Sequence, residues 1–149
     1  MLKNFQILIG PRPGKKSKDA IKEMGTTHIL TLLGDNEQPK NIAKIAKEIG
    51  ARWLHFPIEG GKPEILQTIN INIFFDYLLL QKLSEKDKVY VHCSAGIHRT
   101  GFIVYLLLRK RGLTDQKARL ELANIRAVTA EQVGENRLEL AQTMFDDSN

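Results

Sequence analysis

Apolar residues along this chain follow two habits: short β-prone runs closed by glycine or proline, and longer stretches whose apolar positions recur three and four apart. That alternation predicts strands interleaved with helices. Phe5 to Ile9 is the first run, ended by Gly10-Pro11-Arg12-Pro13-Gly14, which neither a strand nor a helix can continue. Ser17 is placed to cap a short helix through about Met24, and His28 to Leu33 reads as a buried strand stopped by Gly34 and Asp35. Pro39 to Ile49 reads as a helix with Ile42, Ile45, Ala46 and Ile49 on one face, closed by Gly50. Arg52 to Phe56 is the next strand, and Pro57 to Lys62-Pro63 is a loop by its glycines and prolines.

Ile65, Ile69, Ile73, Tyr77 and Leu80 keep helical spacing and predict one long helix, followed by a strand from Lys88 to His92. Phe102 to Leu108 is apolar on all sides, as a helix buried in the middle of a domain is. Thr114 starts another helix with Ala118, Leu122 and Ile125 facing inward. Thr129-Ala130-Glu131-Gln132 fits a capping box at the start of the last. The expected fold is α/β, a central and mostly parallel sheet flanked by helices, with residues 1–149 forming one domain.

Composition narrows this picture. The apolar and charged fractions are those of a globular chain, so neither disorder nor a fibrous repeat is expected. Met1 to Gly10 is too short an apolar run for a secretory leader, and Ile69 to Leu80 is broken by Asn70, Asn72 and Asp76 and too short to cross a bilayer. A cytoplasmic protein without a membrane span is expected. One cysteine rules out an intrachain disulfide, and its thiol must be explained singly. The net charge of +5, with Arg12, Lys15, Lys16, Lys18 and Lys22 close together, suits an anionic ligand but also describes a solvated face. His28, His55, His92 and His98 lack metal-ligand spacing, so neither a metal nor another cofactor is expected.

The stretch His92-Cys93-Ser94-Ala95-Gly96-Ile97-His98-Arg99-Thr100-Gly101 lies between an apolar strand and an apolar helix. A loop wound onto a helix N-terminus presents N–H groups and a positive dipole end to an anion. Five residues between Cys93 and Arg99 let the loop curl around one phosphate, with the main chain of Ser94, Ala95, Gly96, Ile97, His98 and Arg99 as the cradle. In that setting Cys93 is a thiolate that can attack phosphorus, and Arg99 can grip two phosphate oxygens bidentately. Thr100 can bond the sulfur when it becomes the leaving group. Ser94 could instead satisfy loop backbone groups, and His98 could contact a substrate edge or stand by.

These residues match the H-C-x-x-G-x-x-R-S/T-G loop of the protein tyrosine phosphatase superfamily. Gly10-Pro11-Arg12-Pro13 resembles its G-x-R-P segment, and His55-Phe56-Pro57-Ile58 resembles the H-x-P-I before its acid loop. The short chain resembles the small dual-specificity branch, particularly kinase-associated phosphatase-like members. The resemblance implies a cysteine phosphatase fold, a phosphocysteine intermediate, and a phosphorylated protein or small phosphate ester as partner.

The family supplies a general acid as Asp from the loop after the P-I pair, and here that position is Glu59. Glu59 is the candidate acid, with Glu64 and Asp35 as alternatives, and no acid is needed if the leaving group is already good. Gln132 lies where related enzymes place a water-orienting glutamine, but the capping box explains it too. Phosphotyrosine or phosphoserine/threonine protein is the expected substrate; inositol phosphates or phosphoinositides come second, through Lys15, Lys16, Lys18 and Lys62, and RNA 5′-triphosphate third. The other classes considered are a non-catalytic phosphate binder, a rhodanese-like sulfurtransferase and an RNA-binding module. The last is disfavoured by the lack of aromatics interleaved with the basic run.

Overall fold

A computed structural model describes residue 2 and residues 4–148 of the chain. Met1 and Lys3, within the stretch read as too short for a leader, and Asn149 lie outside the described residues. Four short strands, β1 (Gln6–Ile9), β2 (His28–Thr31), β3 (Arg52–His55) and β4 (Lys88–His92), pair in the order β1-β4-β2-β3, every pairing parallel.

Eight helices surround the sheet among the described residues: α1 (Lys18–Glu23), α2 (Lys40–Glu48), α3 (Pro63–Leu66), α4 (Ile71–Leu80), α5 (His98–Lys110), α6 (Asp115–Ile125), α7 (Ala127–Gln132) and α8 (Glu135–Asp147). None is long and apolar enough to cross a membrane.

Period-two alternation sends the strands' side chains to two cores. Leu8, Ile29, Trp53 and Tyr90 face α1 and α2 through Ile21, Ile42 and Ala46. Ile7, Leu30, Leu54, Val89 and Val91 face the other helices through Phe74, Leu78 and the whole of α5 from Phe102 to Leu108. Arg99 to Leu108 are all buried, which accounts for the helix being apolar on every side. At about 1.5–3 kcal/mol for each large apolar side chain, α5 anchors the fold and carries the loop at its N-terminus with it.

The chain leaves β1 and β2 toward the α1/α2 face but leaves β4 toward the opposite face, where α5 packs. Neighbouring strands whose connections part in this way open a crevice at their carboxyl ends. The Cys93 loop lies in it.

Several local expectations are corrected. The long helix read across Ile65 to Leu80 is two. Asn70 adopts an extended conformation and its side chain accepts from the N–H groups of Asn72 and Ile73, starting α4 afresh. Ser17 makes no cap bond to α1; its hydroxyl accepts from Gly14 N–H instead. Thr114 does cap α6, through the N–H of Lys117. Thr129 starts no helix: it lies inside α7, while the last helix begins after Gly134.

Candidate active site

The loop from Cys93 to Arg99 turns its carbonyls outward, and each from Cys93 to Ile97 has a partner. Cys93 O is bonded by His92 Nδ1 at 2.9 Å, Ser94 O by the N–H of Arg12 at 2.9 Å, and Ile97 O by the N–H of Gly101 at 2.8 Å. Ala95 O and Gly96 O are bonded by side chains from beyond α6. Among the described residues, none of the N–H groups of 94–99 donates to a main-chain carbonyl. A trans peptide whose C=O points out points its N–H in, so the loop presents a ring of donors to its centre. Gly96 takes a φ of +72°, and a Cβ there would run into Gly10 O, so both conformation and space require glycine.

Cys93 sits at the floor of this ring, 3 % exposed. Burial pushes its thiol pKa up, but the Thr100 hydroxyl, the N–H groups of Thr100 and Ile97 and the Arg99 charge together hold it below the ordinary value. Thr100 Oγ1 donates to Cys93 Sγ at 3.2 Å, the contact anticipated for it. Behind the cysteine runs a relay. Because His92 Nδ1 faces a carbonyl it carries the proton, so Nε2 accepts from Thr31 Oγ1 at 2.8 Å, and Thr31 accepts from Trp53 Nε1. Burial holds His92 neutral, its pKa lowered to about 4.

Glu37 is the site residue that sequence reasoning missed. Its carboxylate takes Arg99 end-on, at 2.6 Å from Nη1 and 3.0 Å from Nη2, while Nη1 also donates to Ile58 O at 2.8 Å. Three of the five guanidinium hydrogens are thereby committed. Nε–H and the second Nη2 hydrogen remain as a fork for phosphate oxygens. Burial works against the Arg99 charge, yet Glu37 and Cys93 raise its pKa. The Arg99 hydrogen bond holds Glu37 below the usual carboxylate range. Glu37 is placed by its bond from Gly34 N–H and by Arg12, which donates to Glu37 O and Gln38 O. The turn at Gly34-Asp35 drew attention to Asp35; an acid three residues past a glycine that ends a central strand was the available signal.

The other expected residues fall around the same opening. Ile58 N–H extends the sheet onto Leu32 O, so Glu59 follows at the rim with its carboxylate against Gly34, exposed and without an ion-pair partner among the described residues. Gly61 backs onto His98 and Arg99, and Arg137 Nε donates to Gly61 O at 2.7 Å, tying the Glu59 loop to α8. Ser94, Ala95 and His98 are exposed. The partial loss of solvent on the inner side of the His98 ring and the Arg137 charge lower its pKa despite a bond to the Gln132 main chain. The Gln132 side chain is exposed and caps nothing.

Comparison with known proteins agrees with this geometry. The family model described as PTP-SAK, "Swiss Army Knife protein, DSP-PTPase phosphatase domain", matches residues 1–147. The 067L protein of Invertebrate iridescent virus 3, a candidate tyrosine phosphatase by name, is 22 % identical over 96 residues; these are 64 % of this chain but 40 % of the viral one. The chain therefore spans under half of that relative. PTPMT1, also solved in complex with PI(5)P, superposes with a TM-score of 0.69 at 20 % identity, over 97 % of this chain and 92 % of that one. The core catalytic domain of the PP-IP phosphatase SIW14 from S. cerevisiae superposes with a TM-score of 0.64 at 16 % identity, over 95 % and 82 %. At such identities the two structures show a shared fold.

Two outcomes follow from the site's electrostatics. Glu37→Gln, which removes the charge that orients Arg99, is expected to weaken binding of vanadate, measured by calorimetry, by roughly 10- to 100-fold, the scale of one charge-assisted hydrogen bond. For His92, the unfolded chain takes up a proton near pH 6.5 and the folded one only near pH 4. The unfolded state then binds more protons across this window, so stability falls as pH drops through it, by about 3 kcal/mol from this residue. Denaturant melts between pH 7 and 4 will show the fall, and His92→Asn will lose this share of it.

Proposed function

Because this chain belongs to the Swiss Army Knife DSP-PTPase phosphatase family, we propose that it hydrolyses phosphate monoesters on tyrosine or serine/threonine of proteins through a phosphocysteine. The observation that carries the reading is a buried cysteine, held below its ordinary pKa, at the floor of a ring of inward N–H groups with Arg99 at its side. Cys93 Sγ attacks phosphorus in line, the P–S bond forms, and the bond to the leaving oxygen breaks. The loop amides and the Nε/Nη2 fork of Arg99 hold the equatorial oxygens as charge shifts onto them. Water then cleaves the P–S bond, and the Thr100 hydroxyl stabilises the departing thiolate.

The leaving oxygen needs a proton, and two glutamates flank the Gly34 turn. Glu37 is held ionised by Arg99, so it cannot serve as an acid near neutral pH. Glu59, free of such a pair and exposed at the rim, is the acid in the first step and the base for water in the second. A second reading, inositol phosphates or phosphoinositides, is favoured by exposed Lys15 and Lys16, which follow the Arg12 segment bonded to the loop, and by Lys62 next to Gly61. Of the two structures above, one is a PP-IP phosphatase and the other has been solved in complex with PI(5)P.

Release of p-nitrophenol from p-nitrophenyl phosphate, without added metal and across pH 4 to 8, tests the roles. Cys93→Ser abolishes activity. Glu59→Gln lowers kcat by roughly 100-fold. Full activity in Cys93→Ser contradicts the mechanism, and an unchanged kcat in Glu59→Gln contradicts the acid. A phosphotyrosine peptide turned over more slowly than inositol phosphates shifts the substrate to the second reading.

A further inference from the structure

Two carbonyls of the phosphate loop depend on side chains that lie outside it. Arg126, in the corner where α6 gives way to α7, places Nη1 at 3.1 Å from Ala95 O and 3.0 Å from Gly96 O. Thr129, wholly buried on α7, accepts from the same Nη1 at 3.2 Å and donates to Gly96 O at 2.6 Å. A buried hydroxyl that donates to a carbonyl bonded twice over is more than packing needs: a valine would fill the same volume. The approach of α7 is itself provided for. A Cβ on Gly101 would press on Val133 and on Thr129 Cγ2, so the glycine at the base of α5 is what lets Thr129 reach the loop.

We propose that Arg126 and Thr129 are positioning residues that fix two peptide planes of the phosphate loop, and through them the donors that hold the Cys93 thiolate and the bound phosphate. The step is geometric. A trans peptide locks Ala95 C=O to Gly96 N–H and Gly96 C=O to Ile97 N–H in opposite directions. Pinning both carbonyls outward pins both N–H groups inward, and the Ile97 N–H is one of the donors at the Cys93 sulfur.

Without the clamp, Gly96, which has no Cβ to restrict it, can turn its planes over at little cost. An outward N–H then leaves the sulfur and the phosphate short of a donor. The remaining groups that face Cys93 are the Thr100 hydroxyl and N–H and the Arg99 guanidinium, with neutral His92 bonded to its carbonyl. Among the described residues, none of these hydrogen-bonds to α7's threonine, whose partners are Arg126 and Gly96 O. This inference rests on the phosphatase reading for its consequence in turnover, but the state of the loop can be read without turnover.

The test measures the pH dependence of iodoacetamide alkylation at Cys93, the inhibition constant of vanadate, and p-nitrophenyl phosphate hydrolysis in wild type, Thr129→Val, Thr129→Ser, Arg126→Met and Arg126→Lys, with folding followed by circular dichroism. Thr129→Val and Arg126→Met are expected to move the alkylation midpoint upward by about 0.5 to 1 unit and to weaken vanadate roughly tenfold, the scale of one charge-assisted hydrogen bond. Thr129→Ser, which keeps the hydroxyl, is expected to stay near wild type. A midpoint and vanadate constant unchanged within about twofold in folded Thr129→Val and Arg126→Met overturns the proposal, because one lost charge-assisted bond shifts such a constant further than that. If Thr129→Val does not fold, Arg126→Met against Arg126→Lys decides it. Wild type that alkylates at low pH yet hydrolyses nothing defeats the phosphatase reading while leaving the clamp to stand or fall on the alkylation data.

Discussion

A cysteine that is 3 % exposed and yet has its thiol held below the ordinary pKa is the constraint around which the rest of this structure is arranged. Burial alone would push the Cys93 thiol up. What reverses that is a set of donors: the Thr100 hydroxyl, the Thr100 and Ile97 N–H groups and the Arg99 guanidinium. Each donor is in turn held by something further out. Arg99 is held by Glu37, Glu37 by Gly34 and Arg12, the Ile97 peptide by Thr129 and Arg126, and the Cys93 carbonyl by His92, Thr31 and Trp53. The site is thus a hydrogen-bond network with an apolar core beneath it. Preorganisation of this kind is what an anionic transition state requires, because the donors need not move when charge arrives.

The fold supplies the platform. A parallel sheet needs a helix after each strand, and the order β1-β4-β2-β3 sends the chain to opposite faces on leaving β4 and its neighbours. The crevice at their carboxyl ends receives the loops after β1, β2, β3 and β4 together. Arg12, Glu37, Glu59 and Cys93 come from those four loops, one each. Because α5 is buried along its length, its N-terminus cannot shift without disturbing the core, and the Arg99–Thr100–Gly101 end of the loop is correspondingly rigid. By contrast, the Glu59 loop is held at Ile58, Gly61 and Lys62, while Glu59 itself is exposed and has no ion-pair partner among the described residues, so it is the catalytic candidate with the most freedom.

The strands, the alternation of layers and the cysteine loop were legible in the sequence because their signals are local: apolar runs closed by glycine, and seven residues from nucleophile to arginine end. What was misread has a local cause at Asn70, whose side chain caps the N–H groups of Asn72 and Ile73, and nonlocal causes at Thr129 and Glu37. Asn70 interrupts an apolar repeat that stays in phase on both sides, so periodicity continued straight through a helix start. Thr129 followed by Gln132 satisfies a capping pattern, but its hydroxyl is claimed by Gly96, 33 residues away in sequence. Glu37 meets Arg99 across 62 residues, and nothing in its neighbours announces that pairing. The roles of Arg12 in bracketing Glu37 and Ser94, and of Gly101 in admitting α7, likewise exist only once the chain is folded.

The most direct test of the central claim is to trap the intermediate. Wild-type protein mixed with p-nitrophenyl phosphate, quenched in alkaline denaturant within a few turnovers and digested at alkaline pH, is predicted to carry a phosphoryl group on the peptide containing Cys93, and Glu59→Gln to accumulate more of it. Turnover with no phosphoryl adduct on that peptide in either protein, under quench conditions that preserve thiophosphate esters, would contradict the account.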